Sequence, residues 1–184
     1  MDFNDLFKQS GIRVERQKGE HVFIQGDFDN SLYFIQSGLL MAYYTSKAGK
    51  ESIKSFLLPN NIIASLAAIH CKNACSFSLI CLDNSVLQKI SFDQVSRYAK
   101  QDLQLSNCLV ASLLDLAMKK ERREYEFLCL SAEERYAEIK NTNPILLETV
   151  SQTKLASYLG ITPVALSRIK KRNKTASRII PTKA

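Results

Sequence analysis

The sequence predicts an α+β chain in three parts: an antiparallel barrel or sandwich of short strands over 1–92, a long helix over 93–130, and a helix-turn-helix over 131–184. Three observations carry this. Between about Gly11 and Ser91, short apolar runs are separated by turn residues. From about Phe92 the apolar spacing lengthens to that of a helix. Near the end, TKLASYLGITPVALSRIKKR (Thr153 to Arg172) joins two short helical patterns through a single Gly and loads the second with cations. At 184 residues, 46% apolar and 23% charged, the chain is long enough to bury a core in one large domain or two small ones.

The strand candidates are EHVFIQGD, NSLYFIQSGLL, MAYYTSKAGKES, IKSFLLPNN, CSFSLICLDNS and VLQKIS. Gly26, Gly38 and Gly49, with the pairs Asn60–Asn61 and Asp83–Asn84, supply the turns. Alternation along these strands is imperfect, which fits one face closed over a core or pocket.

Along the helical part, Leu109, Leu113, Leu116, Lys120, Arg123, Phe127 and Leu130 follow a 4,3,4,3,4,3 spacing. That is a coiled-coil seam with two cations in its middle. A second stripe runs through Leu103, Ser106, Val110, Leu114 and Ala117. Two apolar stripes are more surface than one partner usually covers. The second stripe is therefore expected on the chain's own barrel, and the seam against a second copy in a homodimer.

The net charge is +7, from 25 Lys/Arg against 18 Asp/Glu, and its location is informative. Residues 149–184 hold eight of the cations and no acid, whereas the first 148 hold the other 17 and all 18 acids. A neutral body with a basic end points to nucleic acid or an anionic membrane, with a merely solvated tail as the bland alternative. Local sequence signals favour nucleic acid. Ser131 and Glu134 match a capping box. Ser151 is placed to cap a helix through Leu155, Ala156 and Leu159, and Gly160 to end it in the left-handed conformation. Thr162 then recaps, with Pro163 at the first helical position.

In the second helix an inward stripe of Ala165, Leu166 and Ile169 leaves Val164, Ser167, Arg168 and Lys171 facing out. A helix so placed enters the DNA major groove. There Arg168 can pair bidentately with guanine and Val164 can pack on a thymine methyl, with Pro163 and Ser167 alongside. Lys170, Lys171 and Arg172, with Gln152, Thr153, Lys154 and Thr162 at the helix starts, would meet phosphates. Packed helical hairpins imitate this pattern. The acid-free basic flank and the helical seam favour a DNA reader over them.

Barrel, long helix, helix-turn-helix is the order of the cyclic-AMP receptor protein/fumarate-nitrate regulator (Crp/Fnr) family, which the sequence resembles over nearly its whole length. The matching stretches are SLYFIQSGLLMAYYTSKAGKESIKSFLLPNNII, FLCLSAEERY and SQTKLASYLGITPVALSRIKKR. The resemblance implies a cyclic-nucleotide-binding-type β-roll, a dimerising helix and a DNA-binding domain controlling transcription. Implied partners are double-stranded DNA, a second copy, RNA polymerase and an unidentified small-molecule effector. The family's base-reading positions fall on Pro163, Val164 and Arg168. Arg168 agrees with the family, whereas Val164 stands at a commonly acidic position, so a different target sequence is expected. Members often follow this helix with a β-hairpin wing. Only twelve residues remain here after Arg172, so the wing is expected to be reduced or absent.

The effector pocket departs further. The family's phosphate cradle has Gly-Glu, then Arg-Ser or Arg-Thr, and the register places Ala64–Ser65 and Cys75–Ser76 on these pairs. Only Ser76 survives. A buried phosphate without its Arg lacks a counter-charge, so cyclic AMP is not expected to bind in the family's way. His70, Cys71, Cys75 and Cys81 occupy the same region, but their spacing matches no strong zinc pattern. The N-terminal cysteine cluster of iron–sulfur members is absent, so ordinary thiols are expected, with no metal or cofactor. Cys108 and Cys129 read as core residues, and His21 as a strand or turn residue.

No apolar run reaches the length of a membrane span, and the start of the chain does not read as a signal peptide, so cytoplasmic residence with reduced thiols is expected. An enzyme finds little support: the chain has two His, no paired carboxylates at a plausible motif spacing and no nucleophile motif. The remaining alternative is a ligand- or redox-sensing β-roll that regulates a protein partner.

Overall fold

The computed structural model describes the backbone through Ile179 and side chains through Asn173. A short helix α1 (Phe3–Ser10) precedes strands β1 (Ile12–Arg16), β2 (His21–Phe23), β3 (Ser31–Ser37), β4 (Leu40–Thr45), β5 (Glu51–Leu57) and β6 (Ile62–Ile63). Helix α2 (Leu66–Cys71), strands β7 (Ser78–Cys81) and β8 (Ser85–Ser91), and helices α3 (Phe92–Ala99) and α4 (Leu103–Cys129) follow. The remaining helices are α5 (Ala132–Thr142), α6 (Ile145–Thr149), α7 (Gln152–Leu159) and α8 (Pro163–Ile179). Contacts divide the chain into two compact units that meet inside α4, between Ala117 and Met118.

In the first unit the strands form two four-stranded antiparallel sheets, ordered β1-β8-β3-β6 and β2-β7-β4-β5. This is the expected β-roll. Tyr33, Ile35 and Leu87 of one sheet and Phe23, Leu40 and Leu79 of the other converge on its interior, together with Phe77. The first sheet is covered on its outer face as well. Leu32 and Ile90 pack there with Leu6 and Phe7 of α1, Val95 of α3 and Leu105 of α4. Burial on both faces explains the imperfect alternation: Ser31, Leu32 and Tyr33 are consecutive and all buried.

The single helix read from Phe92 to Leu130 is two. Asp102 interrupts it, its carboxylate accepting the Leu105 N–H at 3.0 Å and starting α4 afresh. Helices α1, α2 and α6 carry too few residues to give a periodic signal, and the sequence reading did not find them.

The side of α4 that packs on the barrel is not the second stripe. Leu105 is fully buried in the first unit with Leu109 packed beside it, while Leu103, Val110 and Leu114 of the second stripe are 77%, 57% and 61% exposed. Farther along, half-buried Arg123 and Phe127, the latter still 42% exposed, contact residues of the second unit, and Met118, Tyr125 and Leu128 are exposed. The seam residues Leu109, Arg123 and Phe127 thus meet their own chain, Leu116 is half-buried, and Leu113 and Lys120 are exposed. The physical reason is that Leu105, invisible to the heptad count, continues that face into the barrel's outer core. Cys129, expected in the core, is exposed as the last residue of α4, and Cys108 is half-buried.

Candidate nucleic-acid interface

The second unit builds its site from helix ends. At α5 the Ser131 side chain accepts the Glu134 N–H and the Glu134 carboxylate accepts the Ser131 N–H, a complete capping box. Ser151 accepts the Lys154 N–H at 3.4 Å to open α7. Helix α7 closes on Gly160 at φ 72° and ψ 28°. The Ile161 N–H donates to the Ala156 carbonyl and the Gly160 N–H to the Ser157 carbonyl, the paired bonds of a Schellman ending. Thr162 Oγ1 then accepts the Ala165 N–H at 3.2 Å, and Pro163 begins α8. Leu155, Ala156 and Leu159 of α7 and Leu166 and Ile169 of α8 are buried, and the two helices pack together.

That packing fixes what α8 presents. Pro163, Val164, Ser167, Arg168, Lys171 and Arg172 are exposed, whereas Ala165 and Lys170 are half-buried. Among the helix-start candidates, Gln152, Thr153 and Thr162 are exposed and Lys154 is half-buried. The expected inward and outward faces of α8 are both present. One residue differs in its setting: Arg172 forms an ion pair with Glu133 on α5. Both side chains are largely in solvent, so the pair contributes little stability and leaves Arg172 free to exchange partners. The expected absence of a wing concerns the end of the chain, where residues 180–184 lie outside the described residues.

The sequence reading missed a cluster behind this surface. Arg123 lies with its guanidinium carbon 3.7 Å from the Tyr158 ring centroid and 4.4 Å from that of Phe127. Tyr158 falls outside the inward stripe of α7, and no spacing rule links it to a cation 35 positions earlier.

At the barrel, two of the four positions that the resemblance assigns to the phosphate cradle are joined directly. Ser65, at the start of α2, is buried and caps nothing in its own helix. Its hydroxyl instead accepts the Ser76 N–H at 3.1 Å, across the gap between the cradle's halves. Ala64 is half-buried, Ser76 is exposed, and the Cys75 thiol is buried, which pushes its pKa up. Beside them Phe77 enters the interior, its ring edge-on to Phe23 at 5.3 Å and under the Lys54 ammonium at 4.6 Å. His70 and Cys71 are exposed while Cys75 and Cys81 are buried. Among the described residues no three His, Cys, Asp or Glu are gathered into a metal site. His21, in β2, shares a 2.8 Å hydrogen bond with the Tyr43 hydroxyl. Among the described residues no helix is long and apolar enough to cross a membrane.

Residues 13–102 match the cyclic nucleotide-binding domain. Over 165 residues the chain is 28% identical to the anaerobic regulatory protein of Haemophilus influenzae, covering 83% of this chain and 63% of that one. It is also 28% identical over 169 residues to the transcriptional activator protein Anr of Pseudomonas protegens, covering 83% and 66%. The solved structure of FixK2 from Bradyrhizobium japonicum superposes with a TM-score of 0.76 at 17% identity, covering 95% of this chain and 89% of that one. Residues 13–102 thus carry a cyclic nucleotide-binding domain, and the chain is similar over most of its length to these regulatory proteins.

The chain spans less than two thirds of the length of these curated relatives, and the likeness to FixK2 establishes the fold. The Ser76 N–H has its acceptor in Ser65. The side chain at the arginine position is a thiol whose burial disfavours the charged form and which carries no positive charge.

Proposed function

We propose that this protein is a homodimeric, sequence-specific DNA-binding regulator of transcription, acting in the cytoplasm, that reads an inverted repeat with the first turns of α8 in the major groove. The observation that carries this reading is the outward row Val164, Ser167 and Arg168, on a helix whose inward Leu166 and Ile169 are buried. Arg168 supplies two parallel donors for guanine and Val164 an apolar contact for a thymine methyl. Lys171, the helix starts at Gln152, Thr153, Lys154 and Thr162, and Arg172 on release from Glu133, meet phosphates. The exposed stripe of Leu103, Val110, Leu114, Met118 and Leu128 on α4 supports a second copy as the dimer partner. RNA polymerase is the further partner that a transcription regulator of this kind engages.

Selection of bound duplexes from a random pool, with no nucleotide added, tests the reading. The expected product is an inverted repeat whose half-site centres lie about one helical turn, or a multiple, apart. Recovery of only salt-sensitive, sequence-blind binding would overturn it. On the selected site, Arg168→Ala is expected to cost about 1–3 kcal/mol and to relax one base pair in each half-site. Lys171→Ala is expected to weaken all sequences alike and flatten the salt dependence.

Cyclic AMP is not the effector in this reading. Adding it in millimolar excess is expected to move neither the melting temperature nor the affinity for the selected site. A ligand present at about a hundred times its Kd would stabilise the barrel by about 2.7 kcal/mol, a readily measured shift.

A further inference from the structure

A half-buried arginine is an expensive way to fill a helix contact unless its geometry is used. Arg123 lies in the C-terminal half of α4 with its guanidinium held by two aromatic rings, Tyr158 at 3.7 Å and Phe127 at 4.4 Å. Its edge donates to the carbonyl of Tyr158 at 2.6 Å, in the last turn of α7. Its acidic neighbour Glu126 stands off at 4.0 Å and also pairs with Arg122 at 3.1 Å. The guanidinium is therefore held by ring contacts and a carbonyl, both directional, more than by a close counter-charge. Phe127 is locked in turn. A Cβ on Gly160 would come within 3.0 Å of its ring, and Arg135 lies over the ring at 5.0 Å while donating to the Leu130 carbonyl at 2.7 Å. One side of the α4 end is thus clamped to the turn that launches α8. The other side carries the exposed Met118, Tyr125 and Leu128.

We propose that Arg123 is a positioning residue that fixes the angle between the C-terminal part of α4, from Met118 onward, and α8, and thereby the half-site spacing that the dimer accepts. The inference rests on the DNA-reading role of α8 and on dimerisation through the exposed stripe of α4. With α4 paired across a two-fold axis, any play at the clamp appears twice in the separation of the two recognition helices. Arg123, Phe127, Arg135 and Tyr158 lie on α4, α5 and α7, and the outward row of α8 is exposed, so base preference within a half-site is not Arg123's to set.

The test is selection from a random duplex pool with the full chain, comparing the unaltered protein, Arg123→Lys, Phe127→Leu and Tyr158→Phe. Lysine keeps the charge but cannot stack as a plane. Leucine removes one of the two rings and stays apolar against Gly160. Phenylalanine keeps both rings. The expected result is a single spacing for the unaltered protein and Tyr158→Phe. Arg123→Lys and Phe127→Leu should keep the same half-site sequence, broaden the spacing by a base pair or more in either direction, and bind the original site about tenfold more weakly. An inverted repeat with the same sharp spacing in Arg123→Lys and Phe127→Leu would overturn the positioning role while leaving the DNA reading standing. If the unaltered protein yields no inverted repeat, the DNA reading falls and this inference with it.

Discussion

Leu114→Glu is expected to convert the protein from a dimer to a monomer and to abolish site-specific binding, whereas Lys120→Glu is expected to leave both intact. Leu114 is 61% exposed in the isolated chain, on the same face of α4 as Val110 one turn before it. A two-fold interface repeats every residue, so the substitution buries two carboxylates in the contact. Each must lose water without gaining a cation, and burying an unpaired charge costs several kcal/mol. A loss of only about 3 kcal/mol already weakens dimerisation more than a hundredfold. Operator binding falls with it, because a monomer reads one half-site. Sedimentation at micromolar protein separates the outcomes. A dimer that survives Leu114→Glu and dissolves on Lys120→Glu would return the interface to the seam read from the heptad spacing.

The side of α4 that packs on the barrel shows where sequence reasoning reaches its limit. The β-roll, the helix ends and the turn residues were all legible, because each rests on local chemistry. Gly160 must turn left-handed, Ser131 must find Glu134 three residues on, and Leu166 and Ile169 must face the same way as Leu159. Which side of a two-sided helix meets its own barrel is not local. Leu109 belongs equally well to either stripe by spacing, and only the core of Leu6, Phe7, Ile90 and Val95, assembled from three separate elements, decides it. Arg123 illustrates the same limit. Two cations inside a heptad seam read as a weakness in a dimer contact, when one of them is held by two aromatic rings, one of which is on another helix. The loss of the cradle's Glu and Arg was legible from residue identity alone. That Ser65 would bridge to Ser76 was not, since it depends on how the two loops fold back on each other.

Phe77→Ala is expected to destabilise the β-roll unit by about 3–5 kcal/mol, the range for removing a buried aromatic ring from a packed core. The ring is 3% exposed and lies among side chains that belong to both sheets. It sits edge-on to Phe23 at 5.3 Å and to Tyr44 at 6.3 Å, and it supports the Lys54 ammonium at 4.6 Å. Its removal forfeits the transfer free energy of the ring, the edge contacts and the cation's platform together, and leaves a hole bounded by strands that cannot collapse independently. Denaturant unfolding followed by far-ultraviolet circular dichroism reads the change as a shifted midpoint at constant slope. Phe77→Leu, which keeps most of the volume, should lose less than half as much. The size of the loss bears on the effector. A loss near 4 kcal/mol means that the chain's own ring occupies the interior beside the bridged Ser65 and Ser76, so a ligand would have to displace packed side chains to enter. A loss under about 1 kcal/mol would mean that the interior yields around the missing ring. An apolar or aromatic effector would then be the next candidate to test against the selected DNA site.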